Sequence, residues 1–142
     1  MKSVCHEKGR DITSLPKASR GSETILIAEP DSDVRRCTKE ILRRRGYRAV
    51  EAMDGKEAIR IFADNKDRID LVILDVIMPK KTGKEVYNEI IKIRPGMRVI
   101  FSSGCGPDIM RDKGIQAGTA RFLTKPLSSK ELLQKVRDVL DE

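Results

Sequence analysis

Tryptophan is absent from the 142 residues, and there are only three Phe and two Tyr. So few flat rings disfavour a protein that binds single strands by stacking bases. Cysteine is scarce as well. Cys5, Cys37 and Cys105 are far apart, odd in number and without a C-x-x-C spacing, which argues against a disulfide framework or a zinc ribbon. Reduced thiols and a cytoplasmic location are the matching expectations. The single histidine, His6, adjoins Cys5 in a polar stretch, a weak metal signal without further ligands nearby. Long apolar runs are missing. Leu71 to Leu74 is typical of their length, so no membrane span is expected. The opening MKSVCHEKGRDITSLPKASRG has no apolar stretch of the kind a signal peptide carries.

What is present suits one soluble domain with a densely charged surface. Apolar residues make up 39% and charged residues 36%, enough for a core without covalent staples. The net charge is +7, from 29 Lys and Arg against 22 Asp and Glu. Much of it falls between Asp33 and Arg45, where Arg35, Arg36, Lys39, Arg43, Arg44 and Arg45 outnumber Asp33 and Glu40. Such a run is most often a solvated helix face, and it can also steer an acidic partner. No helix-turn-helix or comparable motif accompanies it, so direct nucleic-acid binding is not expected.

Residues 1–22 show no sustained period and read as a tail or linker, leaving 23–142 as the domain. From Thr24 onward, short apolar runs alternate with helical spacings. Strands are predicted at Thr24–Ala28, Tyr47–Glu51, Asp70–Leu74, Met97–Phe101 and Thr119–Leu123. Helices are predicted on Val34/Cys37/Ile41, Ala58/Ile61/Phe62, Val86/Ile90/Ile93 and Leu132/Leu133/Val136, with a weaker one over Asp108–Gln116. Gly46 ends the first helix, and Asp54…Glu57 and Ser128…Glu131 have capping-box spacing. This alternation predicts an α/β fold: a doubly wound, five-stranded parallel sheet covered on both faces.

In open sheets of this kind the site lies beyond the carboxyl ends of the strands. Those ends carry Glu29, Pro30 and Asp31, then Asp75, then Ser102 and Ser103, then Thr124, Lys125 and Pro126. Carboxylates, a hydroxyl and an ammonium on one rim suit acyl-phosphate chemistry. A carboxylate can attack phosphorus, a divalent cation can neutralise the transferring oxygens, and the hydroxyl and ammonium can hold the remainder. Acids also cap strand ends in proteins with no such chemistry. Four such groups together favour the functional reading.

Asp75-Val-Ile-Met-Pro-Lys-Lys-Thr-Gly83 resembles the D-x-x-M-P-x-x-x-G stretch of the response-regulator receiver domains of two-component signalling. Ile100-Phe-Ser-Ser103-Gly104 and Phe122-Leu-Thr-Lys125-Pro126 resemble the fourth and fifth strands of that family, and the likeness runs from about Glu23 to Asp141. The resemblance implies a flavodoxin-like (βα)5 fold. It also implies that Asp75 accepts a phosphoryl group from a histidine kinase or histidine phosphotransfer domain. Ser103 is then the switch hydroxyl, Phe122 the aromatic coupled to it, and Lys125 the cation paired with the acceptor, before a cis bond to Pro126. For a Mg2+ cofactor the implied set is Asp75, the Ile77 carbonyl and acids after the first strand, here Glu29 and Asp31. The first helix, by the same likeness, lies beside the acceptor and docks the partner. The implied domain is a signalling acceptor rather than an enzyme, and homodimerisation on phosphorylation is left open. Ser14-Leu-Pro to Leu26 also resembles the join to a C-terminal receiver in hybrid sensor kinases, so a stand-alone protein and a piece of such a kinase both stay open.

One position departs from the pattern. The family carries two adjacent acids after the first strand, and Pro30 stands at the second. Proline offers a metal no side-chain oxygen, so weakened Mg2+ binding is expected. A receiver-like interaction module working without phosphorylation is the alternative. A haloacid-dehalogenase-type phosphatase is disfavoured, because Ile77 stands where a second Asp would serve as acid and base.

Overall fold

The computed structural model describes residues 21–103, 121–124 and 128–142. Strands β1 (Thr24–Ala28), β2 (Arg48–Ala52), β3 (Leu71–Asp75), β4 (Val99–Ser103) and β5 (Arg121–Thr124) form one sheet in the order β2-β1-β3-β4-β5. All four pairings are parallel. Helices α1 (Ser32–Arg43), α2 (Gly55–Asp64), α3 (Gly83–Ile93) and α4 (Ser129–Leu140) cover it. The helix expected over Asp108–Gln116 lies outside the described residues.

Strand alternation sorts the core into two layers, since successive side chains point to opposite faces. Leu26, Val72, Leu74, Val99 and Phe101 pack with Phe62 of α2 and Val86 and Ile90 of α3. Ile25, Ile27, Leu71, Ile73 and Ile100 pack on the other face with Ile41 of α1 and Leu132, Leu133 and Val136 of α4. The expected doubly wound arrangement is thus present.

Helix starts follow local chemistry. Asp54 and Ser128 accept from the N–H groups of Glu57 and Glu131, as their spacing implied. Thr82 and Glu85 form a reciprocal capping box at the start of α3. Gly46 has φ +95°, the left-handed turn that ends α1. Strands β2 and β3 each lie one residue later than expected, and β4 lies two residues later. β4 runs Val99–Ser103, because Met97 is held in a turn to the Arg94 carbonyl while Ser102 and Ser103 still pair with neighbouring strands. β5 is Arg121–Thr124, and the expected start at Thr119 lies outside the described residues. Serine reads as loop in isolation, but pairing, on both sides for Ser102 and with β5 for Ser103, keeps it extended.

Cys37 packs in the α1–α4 layer and is disulfide-bonded, which departs from the expectation of reduced thiols; its partner lies outside the described residues. The expected boundary at residue 23 has a contact before it, since the Gly21 N–H donates to the Arg45 carbonyl at 3.0 Å.

Beyond the amino ends of the strands, Arg137 of α4 donates to Glu23 Oε2 at 2.8 Å and Asp141 Oδ1 at 3.0 Å, and to the Tyr47 hydroxyl at 3.3 Å. Burial opposes the charged form of Glu23, but the Arg137 hydrogen bond and backbone N–H groups outweigh it and lower its pKa. A carboxyl depressed on folding stabilises fully above its unfolded pKa, and that contribution fades as pH falls through the folded value. Stability is therefore expected to drop below the ordinary value of 4.5, and Glu23→Gln to flatten that part of the urea-denaturation profile. Identical acid limbs in the two proteins would count against this.

Candidate functional site

The order β2-β1-β3 reverses the winding between β1 and β3, where crevices form in open α/β sheets. Ala28 is in register with Leu74, so the next residues outward, Glu29 and Asp75, emerge side by side from adjacent strands. Both are nearly closed to solvent, at 4% and 7% exposure. Asp75 pairs with Ser102 of β4, which puts Ser103 one step further along the neighbouring strand, buried beside Thr124 of β5. Asp75, Ser103 and Glu29 thus share one rim. Lys125, Pro126 and the side chain of Phe122 lie outside the described residues.

The β1–α1 loop departs from expectation. Asp31 is the N-cap of α1: its Oδ1 accepts from the N–H groups of Asp33 at 2.9 Å and Val34 at 3.2 Å. No three described His, Cys, Asp or Glu residues gather as a metal cluster. Of the implied set Glu29, Asp31 and Asp75, Asp31 is thus engaged in capping α1. The orphan N–H groups of a helix start attract a carboxylate strongly, and Asp31 is spaced to reach them. Glu29 also has a local partner, since its Oε2 accepts the Asp31 N–H at 3.0 Å. The other groups of the implied set are the carboxylates of Glu29 and Asp75 and the backbone carbonyl of Ile77. Two carboxylates suffice for Mg2+, which keeps several waters and takes phosphate oxygens as further ligands.

Glycines shape the loop after β3. A Cβ at Gly83 would lie 2.6 Å from the Asp75 carbonyl oxygen and 3.0 Å from the Val76 Cα. The Gly83 N–H donates to the Val76 carbonyl at 2.9 Å, so α3 starts in direct contact with the end of β3. A Cβ at Gly55 would meet the Lys81 carbonyl at 2.6 Å. Between these contacts Lys80 has φ +71°, and the Lys81 N–H donates to the Pro79 carbonyl at 2.7 Å, a tight three-residue turn. Lys80 Nζ reaches Asp54 Oδ2 at 3.3 Å, and the Asp54 carboxyl is held below its usual range by the Glu57 N–H and, more weakly, by Lys80. The motif spelled out the final glycine of this loop, but neither Gly55 nor the Lys80–Asp54 pair had a signal in the sequence.

The basic helix is less available than its composition implied. Arg35 and Lys39 share Glu51 of β2 at 2.9 and 3.0 Å. Arg44 pairs with Glu40 at 3.0 Å, and Arg45 is buried. Burial opposes the charge on Glu51, but hydrogen bonds from Lys39 and Arg35 prevail and lower its pKa. The exposed large hydrophobic side chains among the described residues are Met53, just after β2, and Ile77, just after β3.

Comparison with known proteins agrees with this geometry. Residues 25–137 match the family model of the response regulator receiver domain. The chain belongs to that family. Its curated relatives include the sensor kinase CckA of Brucella abortus, 34% identical over 86% of this chain but only 13% of the relative. The probable transcriptional regulator ycf27 of Galdieria sulphuraria is 37% identical over 85% of this chain and 46% of the relative. The receiver thus spans under half the length of either. Among solved structures, the receiver domain of the hybrid histidine kinase CckA aligns with TM-score 0.69 at 35% identity, covering 82% of this chain and 98% of that one. A receiver domain protein from Clostridium thermocellum gives TM-score 0.73 at 30% identity, over 84% and 94% respectively. The flavodoxin-like receiver fold read from the strand-end motifs is the fold present. Among the described residues no helix is long and apolar enough to cross a membrane.

Proposed function

We propose that this receiver takes a phosphoryl group onto Asp75 from a phosphohistidine of a histidine kinase or phosphotransfer domain. The adjacency of the buried Asp75 and Glu29 at the winding reversal, with Ser103 on the next strand, carries the reading. An Asp75 carboxylate oxygen attacks phosphorus in line and forms the new P–O bond. The P–N bond to the donor imidazole breaks, and its electron pair returns to the ring, which leaves neutral with a proton on its other nitrogen. Mg2+ held by Glu29, Asp75 and the Ile77 carbonyl would supply positive charge to the transferring oxygens. Ser103 is placed to hydrogen-bond a phosphoryl oxygen, and Lys125, next along the chain from Thr124, is the proposed second cation. Pulling Ser103 toward Asp75 would bias two arrangements of the β4–β5 surface, which is the signal.

The receiver is on this view a stoichiometric acceptor, not a turnover enzyme. Exposed Arg36 and Arg43 on α1, with Met53 and Ile77 beside the crevice, supply the face offered to the donor. Pro30 favours a second reading, an interaction module that works unphosphorylated.

Intact-mass spectrometry after incubation with acetyl phosphate and Mg2+ separates the two. The expected result is one phosphoryl adduct on the parent and none on Asp75→Asn. An adduct that persists in Asp75→Asn would place the chemistry elsewhere. No adduct on a folded parent would support the second reading.

A further inference from the structure

Pro30 removes more than a carboxylate from the β1–α1 loop. It also removes an N–H, so residue 30 cannot tie the loop down by donating a hydrogen bond. The loop is held through Glu29 instead. The Glu29 N–H donates to the Ala52 carbonyl at 3.1 Å, and its Oε2 accepts the Asp31 N–H at 3.0 Å. Its backbone carbonyl accepts from Arg35 Nη1 at 2.7 Å, the shortest of the three.

The same guanidinium donates through Nε to Glu51 Oε1 at 2.9 Å, while Lys39 takes Glu51 Oε2 at 3.0 Å. The Arg35 side chain is only 15% exposed, so this bridge from the β1 loop to β2 works in a partly desolvated setting where charge-assisted bonds are stronger. Arginine is suited to the task because its planar fork reaches two acceptors at fixed geometry. Glu29, with one more rotatable bond than an aspartate, needs more restraint to hold its carboxylate in one place.

We infer that Arg35 is a positioning residue for the cation-side acid, fixing Glu29 by clamping its carbonyl to Glu51. The inference rests on the reading that Glu29 and Asp75 hold a divalent cation. It makes a prediction whose sign distinguishes it from simple electrostatics. Arg35 is a positive charge close to the site, so charge alone would make its removal tighten a divalent cation. Loss of positioning would weaken it.

The test is Mn2+ binding to the full chain, followed by electron paramagnetic resonance of the free ion, with circular dichroism melts run alongside. Arg35→Ala is expected to bind Mn2+ about tenfold more weakly, the usual scale for losing a group that orients a ligand. Arg35→Lys keeps the charge but cannot span both acceptors, so it is expected to weaken binding too. It carries the test alone if the alanine variant does not fold. Lys39→Ala, which releases the same Glu51 without touching Glu29, is expected to stay within about twofold of the parent. Parent-like or tighter binding in Arg35→Ala, or parent-like binding in Arg35→Lys, overturns the inference. A parent that takes up no Mn2+ overturns the cation reading itself, and the inference falls with it.

Discussion

Gly83→Ala is expected to slow phosphoryl uptake by Asp75 on the order of a hundredfold, the scale of a displacement near one ångström at a reacting group. The added methyl would lie 2.6 Å from the Asp75 carbonyl oxygen, where ordinary contact begins at 3.4 Å, and 3.0 Å from the Val76 Cα. Both neighbours are backbone, so neither can swing aside as a side chain would. Either α3 retreats and breaks the 2.9 Å hydrogen bond from Gly83 to Val76, or the end of β3 shifts with the acceptor on it. The stability cost should be about 1–3 kcal/mol, as for overpacking in a filled core. Gly96→Ala is the control. Gly96 has φ +85° with open space around its Cβ position, so alanine there strains the backbone and touches nothing near Asp75. It should cost about 1 kcal/mol and leave uptake unchanged. If the two variants lose uptake in proportion to stability alone, the contact between Gly83 and the acceptor strand has no special role.

Pro30→Asp is expected to tighten Mg2+ binding by about tenfold, because affinity for hard cations follows the number of anionic oxygens available. A second acid beside Glu29 has a cost that appears only without the ion. Buried Glu29 and Asp75 are already neighbours, and a further carboxylate adds like-charge repulsion. The apo variant should therefore melt below the parent, and added Mg2+ should raise it more than it raises the parent, as linkage requires. Calorimetric titration with Mg2+ and melting curves with and without it measure both effects. Equal affinities would mean that the loop turns residue 30 away from the crevice and that Pro30 is not the reason for any weakness there.

The fold was legible from Thr24 onward because its information is local and periodic. Continuous apolar runs mark strands buried on both faces, and helical spacings mark the layers that cover them. The positions of Asp75, Ser103 and Glu29 were legible for a related reason. A parallel sheet puts every strand's carboxyl end on one rim, so strand order alone assigns Asp75, Ser103 and Glu29 to it. The family motifs then gave roles to the positions.

Tertiary structure decided the rest, since each of these points depends on a partner remote in the chain or on competition for one. Asp31 could face a cation or cap α1, and the capping N–H groups two and three residues ahead won it. Six bases between Asp33 and Arg45 read as an open surface. Glu51 arrives from β2 to occupy two of them, and burial takes Arg45. Ser102 stays extended because strands lie on both sides, and Ser103 because it pairs with β5, which a propensity for loops does not foresee. The need for glycine at residue 83 comes from a carbonyl oxygen eight positions back, brought within 2.6 Å only when α3 folds against β3. Sequence by itself determined the layers and the rim, both set by period and strand direction. Which groups on that rim are taken up in caps and ion pairs was decided only by through-space competition for hydrogen bonds.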